Sequence, residues 1–365
     1  MIKSPSLYAV IMAGGRGERF WPISRTSHPK QFVSLFGGNP LITIAVERLK
    51  GLIPLENILV VTSADLVDRS REALPMLPHE NIIGEPFGRD TAAACALGTA
   101  WVAARGGDEA TVAVLTADHL IKDIERFQVT LADTAEAVAD EPAIGVIGIV
   151  PDHPATGYGY IESAGNLEQD APTKFMTVRR FVEKPDLETA RGYVASGNHF
   201  WNSGMFLWSV RTFKGALRSF QPQLLAMAER MEEAFGTADA DAVLLDEYNK
   251  LDRISVDYAI MEKVDTIIAA RGDFGWDDVG TWASAATHFE QDGSGNARYG
   301  ASELVKATGN TVVNDQDGHL VALMGVENLV VVHTKDATLI CSRDSAQDLK
   351  ELVKQVGERE GPSFT

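Results

Sequence analysis

The stretch AGGRGERFWPISRTSHPKQ (residues 13–31) concentrates groups that hold negative charge. Arg16, Arg19, Arg25 and Lys30 stand against the single acid Glu18, a local balance of +3 in a chain whose formal net charge is −18. Arginine grips phosphate oxygens through two parallel hydrogen bonds, and lysine adds a compact movable charge. Gly14, Gly15 and Gly17 can expose backbone N–H groups in conformations that residues with side chains resist. The chemistry indicated is the binding of a polyphosphate. Neither common nucleotide loop is present, however. The third glycine of a dinucleotide fingerprint is replaced by Phe20, with Pro22 in the path of its helix, and no Gly-Lys-Ser/Thr triplet follows the glycines. A second set of residues offers carboxylates for a cation. Asp118 follows the apolar run VAVLTA, and Asp277 and Asp278 lie within GDFGWDDVGTW (272–282). Magnesium favours one or two carboxylates, with phosphate oxygens and water completing its shell. Each acid also has a plainer reading, Asp118 as a helix cap and the Asp-Asp pair as a solvated turn.

Such residues need a scaffold. The 365-residue chain, 45% hydrophobic, is long enough for about two domains. Strand patterns at 7–12, 57–62, 110–116 and 143–150 alternate with helical patterns at 40–52 and 90–105, the latter opened by the capping residues Asp90 and Thr91. This alternation predicts an α/β fold: a Rossmann-like, mixed but mainly parallel sheet flanked by helices. The sheet places Asp118 past a strand end, where ligands of open α/β sheets gather. After Phe289 comes the polar, glycine-bearing EQDGSGNARYG, then short strand patterns and a helical pattern at 345–356. The predicted division is therefore a catalytic domain over 1–290 and a small β-rich domain with a terminal helix over 291–365.

Composition excludes several classes. The acidic balance argues against a nucleic-acid partner. Cys95 and Cys341 make neither a disulfide framework nor a zinc pattern. With no secretory leader and no apolar run near the ~20 residues that cross a bilayer, the expectation is a cytoplasmic protein without a membrane partner. The eight histidines are scattered, and no Ser/His/Asp or Cys/His constellation is present.

MAGGRGERFWPISRTSHPKQF resembles the signature of the sugar-phosphate nucleotidyltransferases, and its FWPISR…PKQF continuation resembles the mannose-1-phosphate guanylyltransferase branch. The resemblance runs through nearly the whole chain. It implies that Arg19 and Lys30 contact a triphosphate and promote departure of pyrophosphate, with Gly14, Gly15, Arg16 and Gly17 in the nucleotide loop. It makes Asp118 and Asp278, the acid before VGTW, the carboxylates for Mg2+ or a similar divalent cation. GEPFGRDTAAA (84–94) matches the base-recognition segment. There Glu85 has the two acceptors that suit guanine N1–H and N2–H2. Arg89 suits guanine, a phosphate or the helix start, and Asp90 stands where the family more often has asparagine, beside Thr91. RRFVEKPD (179–186) matches the sugar-binding strand with Glu183 and Lys184. FWNSGMFLW brings Asn202 to the sugar, and TGYGYIE brings Gly159 against the hexose. ISVDYAIMEKV adds Asp257, which on its residue pattern alone is a helix N-terminal acid. Trp21, Trp201, Trp276 and Trp282 read as packing around the cleft.

The implied reaction is GTP plus mannose 1-phosphate giving GDP-mannose and pyrophosphate, by in-line attack on the α-phosphorus. The alternatives are another nucleoside triphosphate or hexose or heptose 1-phosphate, a glycosyltransferase of related fold that consumes a nucleotide sugar, or a non-catalytic sensor of nucleotide sugars. The C-terminal strands resemble the family's β-helix-like segment, which implies a homodimer. No His/Glu cluster follows the linker, so no isomerase activity is expected.

Overall fold

The computed structural model describes residues 6–15, 17–139 and 141–365. In chain order the first elements are β1 (Leu7–Ala13), α1 (Leu41–Glu47), β2 (Ile58–Ser63), α2 (Val67–Ala73), β3 (Ile82–Glu85), α3 (Thr91–Gly106) and β4 (Thr111–Thr116). There follow β5 (Leu120–Ile121), α4 (Ile124–Ala139), β6 (Ile144–Ile149), β7 (Tyr160–Leu167), β8 (Phe175–Val182), α5 (Leu187–Ser196) and β9 (His199–Ser209). Then come α6 (Val210–Phe220), α7 (Pro222–Ala234), α8 (Ala240–Lys250) and β10 (Ile267–Gly272). The chain forms two compact units, one of residues 1–14, 45–117 and 121–276, the other of 15–44, 118–120 and 277–365.

The first unit is built on a nine-stranded sheet of order β3-β2-β1-β4-β9-β6-β10-β8-β7. Its pairs β3–β2, β2–β1, β1–β4 and β6–β10 are parallel. The long β9 runs antiparallel between β4 and β6, and β8 runs antiparallel between β10 and β7, so the sheet is mixed, and it is mainly parallel in that its seven other strands share one direction. Strands β1, β2 and β4 are continuous apolar runs because helices cover both faces. Helix α3 is apolar nearly all round, and it packs on β1 and β4 on one side and on α7 on the other. Gly98 permits the closeness of that packing, since a Cβ there would lie 2.5 Å from a Val10 methyl.

Two helix expectations shift. The 40–52 pattern is helical only over α1: Leu49 N and Lys50 N donate three residues back, to the Val46 and Glu47 carbonyls, Gly51 turns the chain at φ +90°, and Gln128 Nε2 caps the Arg48 and Lys50 carbonyls at 2.8 and 3.0 Å. The 345–356 pattern starts later and ends later. Ser342 Oγ accepts the N–H of Ser345, which holds 343–347 in a tighter turn, and the α-helix then covers Leu349–Glu360.

The second unit carries strands β11 (Trp276–Asp277), β12 (Glu290–Gln291), β13 (Ala297–Tyr299), β14 (Ser302–Val305), β15 (Thr311–Asn314), β16 (Val321–Met324), β17 (Leu329–His333) and β18 (Thr338–Ser342), the first of them ending at the unit's edge. Strands β13, β15 and β17 stack in parallel, and β14 pairs with β16 in parallel. Each circuit of the chain thus adds a strand to each of two sheets, a β-helix-like coil. An asparagine ladder ties the circuits together. Asn310 Nδ2 donates to Asn296 Oδ1 at 2.9 Å and to the Val326 carbonyl, while its Oδ1 accepts from Leu329 N at 2.9 Å. The core of this unit also takes in the opening loop, with Phe20, Trp21, Val33 and Leu35 buried in one cluster with Trp282, Val313 and Val330.

Candidate functional site

The predicted site residues fall into two groups, one in each compact unit. The first centres on Lys30. Its ammonium is buried and donates to Asp118 Oδ2 at 2.9 Å and to the Asp278 carbonyl at 2.5 Å, above the Phe20 ring at 5.7 Å. One cation thus gathers two segments far apart in the chain. Burial by itself would push the Asp118 carboxyl up, but the Lys30 ammonium and His119 outweigh it and hold the acid below the usual carboxylate range.

The glycines before Lys30 behave differently from one another. Only Gly17 adopts a left-handed conformation, with φ of +63°; Gly14 and Gly15 do not. A Cβ on Gly17 would lie 2.3 Å from Lys30 Cβ and 2.8 Å from Lys30 N. The glycine is therefore needed because the loop folds directly onto the lysine backbone, and Ser24 Oγ pins that fold by donating to the Gly17 carbonyl at 2.6 Å. Arg19 is exposed, while Arg25 pairs with Asp336 at 3.0 Å and donates to the Pro22 carbonyl. Of the basic cluster, Arg25 is thus tied to the scaffold. Arg16 lies outside the described residues.

The Asp-Asp pair is divided by its neighbours. Asp277 Oδ1 accepts from Val279 N at 2.7 Å and Oδ2 meets His288 Nε2 at 2.7 Å, so both of its oxygens are occupied. Burial raises this carboxyl, and the His288 and Val279 bonds together bring it below its ordinary range. Asp278 Oδ1 accepts from Gly280 N at 2.9 Å. Val279, fully buried, sits between them at φ +46°, a strained conformation for a β-branched residue. The surrounding packing and the bonds to Asp277 and Asp278 hold the turn against that strain.

The second group lies in the sheet unit. Glu85 ends β3, 8% exposed, and accepts the Tyr248 hydroxyl on Oε1 at 3.0 Å. Burial pushes its carboxyl up to about 7, against the Tyr248 bond and with Asp90 adding to the rise. A Cβ on Gly14 would sit 3.9 Å from Glu85 Oε2. Arg89 donates through Nε to the Tyr248 carbonyl at 3.0 Å, with its guanidinium over Phe87 at 4.7 Å. Asp90, at φ +68°, caps α3 through Thr91 N at 2.8 Å. Thr91 Oγ1 in turn accepts from Val256 N at 2.8 Å, which docks the segment carrying Asp257.

Gly159, Glu183, Asn202 and Asp257 converge. Asn202 N donates to the Gly159 carbonyl at 2.8 Å, and Asn202 Nδ2 donates to Asp257 Oδ1 at 3.0 Å. A Cβ on Gly159 would lie 3.0 Å from Glu183 Oε2. Burial raises the Asp257 carboxyl, the Asn202 amide opposes this, and Glu183 adds to it. Lys184, at φ +34°, pairs with Glu183. Beside them Tyr158 packs edge-on against Trp201 at 5.0 Å and Trp276 at 5.4 Å, while Trp282 and Trp21 are buried in the other core. Two residues of these groups escape sequence reasoning. Neither Tyr248 nor His288 carries a local signal, since each reaches its carboxylate only through folding.

Comparison with known proteins identifies the family. A family model described as nucleotidyl transferase matches residues 8–294, and one described as the MannoseP isomerase/GMP-like beta-helix domain matches 304–356. A mannose-1-phosphate guanylyltransferase of Escherichia coli is 41% identical over 95% of this chain and 73% of its own length. The Salmonella typhimurium protein named mannose-1-phosphate guanylyltransferase ManC is 38% identical over 98% of this chain and 74% of its own. A solved Thermus thermophilus structure, titled a mannose-1-phosphate geranyltransferase, superposes with a TM-score of 0.85 at 34% identity, covering 96% of this chain and 99% of that one. With motif, fold and likeness in agreement over almost its entire length, the chain belongs to the nucleotidyl transferase family, among its mannose-1-phosphate guanylyltransferases.

Proposed function

We propose that the chain transfers the guanylyl group of GTP to mannose 1-phosphate, forming GDP-mannose and pyrophosphate. The observation that carries this reading is the buried Lys30 ammonium held between the Asp118 carboxylate and the Asp278 carbonyl. A phosphate oxygen of the sugar phosphate attacks the α-phosphorus. The new P–O bond forms as the bond to the β-phosphoryl oxygen breaks, and pyrophosphate leaves with the electron pair. The nucleophile is already an anion near neutral pH, so no general base is required. Lys30 and the exposed Arg19 supply fixed positive charge for the triphosphate, stabilisation that needs no reorganisation during the reaction.

The same group suits a divalent cation. The family resemblance gives Asp118 and Asp278 as the carboxylates that would hold it, while Asp277 is bonded to His288 and Val279 N. Among the described residues no cluster of three or more His, Cys, Asp or Glu could hold a metal. A cation here would therefore draw its remaining ligands from substrate phosphates and water, as Mg2+ does. When bound, it would neutralise charge on the phosphate oxygens.

In the sheet unit, the reading gives the base to Glu85, with Arg89, Asp90 and Thr91 shaping that end of α3. It gives the hexose to Gly159, Glu183, Asn202 and Asp257, and its phosphate to Lys184. The transferase chemistry belongs to residues 1–290 and a supporting role to 291–365, boundaries close to those of the two family matches. A homodimer is part of the same reading. It is supported by the coil's outward apolar residues, since Val305 and Met324 face each other across β14 and β16 and are 44% and 72% exposed. A cytoplasmic location accords with the absence, among the described residues, of any helix long and apolar enough to cross a membrane. Pyrophosphate release measured for four nucleoside triphosphates against several hexose 1-phosphates tests the reading. GTP with mannose 1-phosphate is expected to be fastest, and a higher kcat/KM for another pair would overturn the assignment.

A further inference from the structure

We propose that Tyr248, on the last turn of α8, is a positioning residue for guanine recognition: its hydroxyl takes one lone pair of Oε1 and fixes the rotamer of Glu85, so that each carboxylate oxygen keeps an acceptor site turned to the base. This rests on the reading above that Glu85 accepts from guanine. Three observations carry it. The tyrosine is fully buried and its hydroxyl donates to Glu85 Oε1 at 3.0 Å. The backbone of the same residue receives Arg89 Nε at 3.0 Å, so one helix end aligns both charged residues of the GEPFGR segment. The ring itself is held in place, with Phe87 packed edge-on against it at 6.2 Å.

A glutamate has three rotatable bonds, and left alone at the end of β3 it would sample several orientations. The phenol removes that freedom with one directed bond. Because the hydroxyl donates its single proton to one lone pair of Oε1, the carboxylate is favoured over the acid. Guanine offers adjacent donors from N1–H and N2–H2, which a mobile or protonated carboxyl would accept poorly. Hydrogen bonds to charged groups are the stronger class, and loss of a partner inside the fold leaves a desolvated oxygen. The other titratable groups acting on Glu85 are Asp90, which raises its proton affinity, and the buried thiol of Cys95 on α3. Neither donates a hydrogen bond to it.

The test is Tyr248→Phe, which keeps the ring and the backbone acceptor for Arg89 and deletes only the hydroxyl. Steady-state rates are measured with GTP and with inosine triphosphate, which lacks the 2-amino group, from pH 5.5 to 9, with thermal melting to confirm folding. The expected result is a GTP KM raised about ten-fold, with a much smaller change in kcat. The acidic limb of the pH profile for GTP kcat/KM should move to higher pH, and the GTP preference over inosine triphosphate should narrow. A purely packing role for Tyr248 would move neither the limb nor the preference. Should Tyr248→Phe fail to fold, 3-fluorotyrosine at position 248 keeps the hydroxyl as a stronger donor, and the acidic limb should then move down. Glu85→Gln, run in parallel, separates the two ideas. If it leaves the GTP preference intact, the base-reading role of Glu85 is wrong. If it collapses the preference while Tyr248→Phe changes neither limb nor preference, only the positioning role is overturned; a fluorotyrosine limb that stays put overturns it as well.

Discussion

Lys30→Met would remove the one buried ammonium that joins Asp118 to Asp278 while leaving the side chain's length and packing nearly intact. Two hydrogen bonds are lost, at 2.9 Å to a carboxylate and 2.5 Å to a carbonyl. Bonds to charged groups contribute about 1.5–3 kcal/mol. The Asp118 side chain is 34% exposed, so water screens part of the loss, and the lower half of that range is expected for each of the two bonds, about 3–4.5 kcal/mol together. For a chain of 365 residues, an unfolding entropy of ~2.1 cal/mol/K per residue converts this to a drop of about 4–6 °C in Tm. Turnover should suffer far more. Loss of a fixed charge aimed at a developing anion costs about 10²–10³ in kcat. The acid dependence of stability gives a second signature. Lys30 holds the Asp118 carboxyl below the ordinary range despite burial. The stability this contributes is full above the unfolded value, near pH ~4, and is lost as pH falls through the lower folded value. The gap between wild type and variant should therefore be widest at neutral pH and should close in acid. Differential scanning fluorimetry across pH and a pyrophosphate-release assay measure both. A variant that turns over within two-fold of wild type, with the same melting profile from pH 3 to 7, would refute this reading of the ammonium.

Three further outcomes follow from the same geometry. Gly17→Ala places a Cβ 2.3 Å from Lys30 Cβ in a left-handed conformation; strain of about 1–2 kcal/mol plus the clash should lower Tm and reduce kcat at least ten-fold, and unchanged rates would show that the loop accommodates the methyl. Asp278→Asn should raise the Mg2+ concentration needed for half-maximal rate, whereas Asp277→Asn, which disturbs a carboxylate bonded to His288 and Val279 N, should chiefly lower Tm; a reversed pattern in metal titrations would exchange their roles. Asn310→Ala leaves Leu329 N and the Val326 carbonyl without their ladder partner, so calorimetry should show a loss of about 2–4 kcal/mol, and a melting curve like wild type would mean water replaces the ladder.

Much of this protein was legible in the order of its residues. Continuous apolar runs separated by amphipathic stretches dictate a covered, mainly parallel sheet, because strands buried on both faces carry few polar residues. The local excess of positive charge around residues 16–30, set in an acidic chain, marks an anion site whatever the fold. Asp118, Glu183 and Asn202 stood out only because their motifs resemble those of the family, since on residue type alone each has a plainer reading. What sequence could not decide was which groups share a neighbourhood. Gly17 reads as one more loop glycine until Lys30 is found against it. Asp277 and Asp278 are equivalent as letters and differ only because His288 folds back onto the first. Tyr248 carries no local signal at all, since 163 residues separate it from Glu85. Even the grouping of the opening loop with the C-terminal coil depends on buried contacts between residues such as Trp21 and Trp282, whose indole Nε1 donates to the Trp21 carbonyl at 3.2 Å. Local pattern follows from short-range sterics and hydrophobic periodicity, which the sequence states directly. The partner of a buried polar group is chosen by packing across the whole chain, and only the tertiary structure settles that choice.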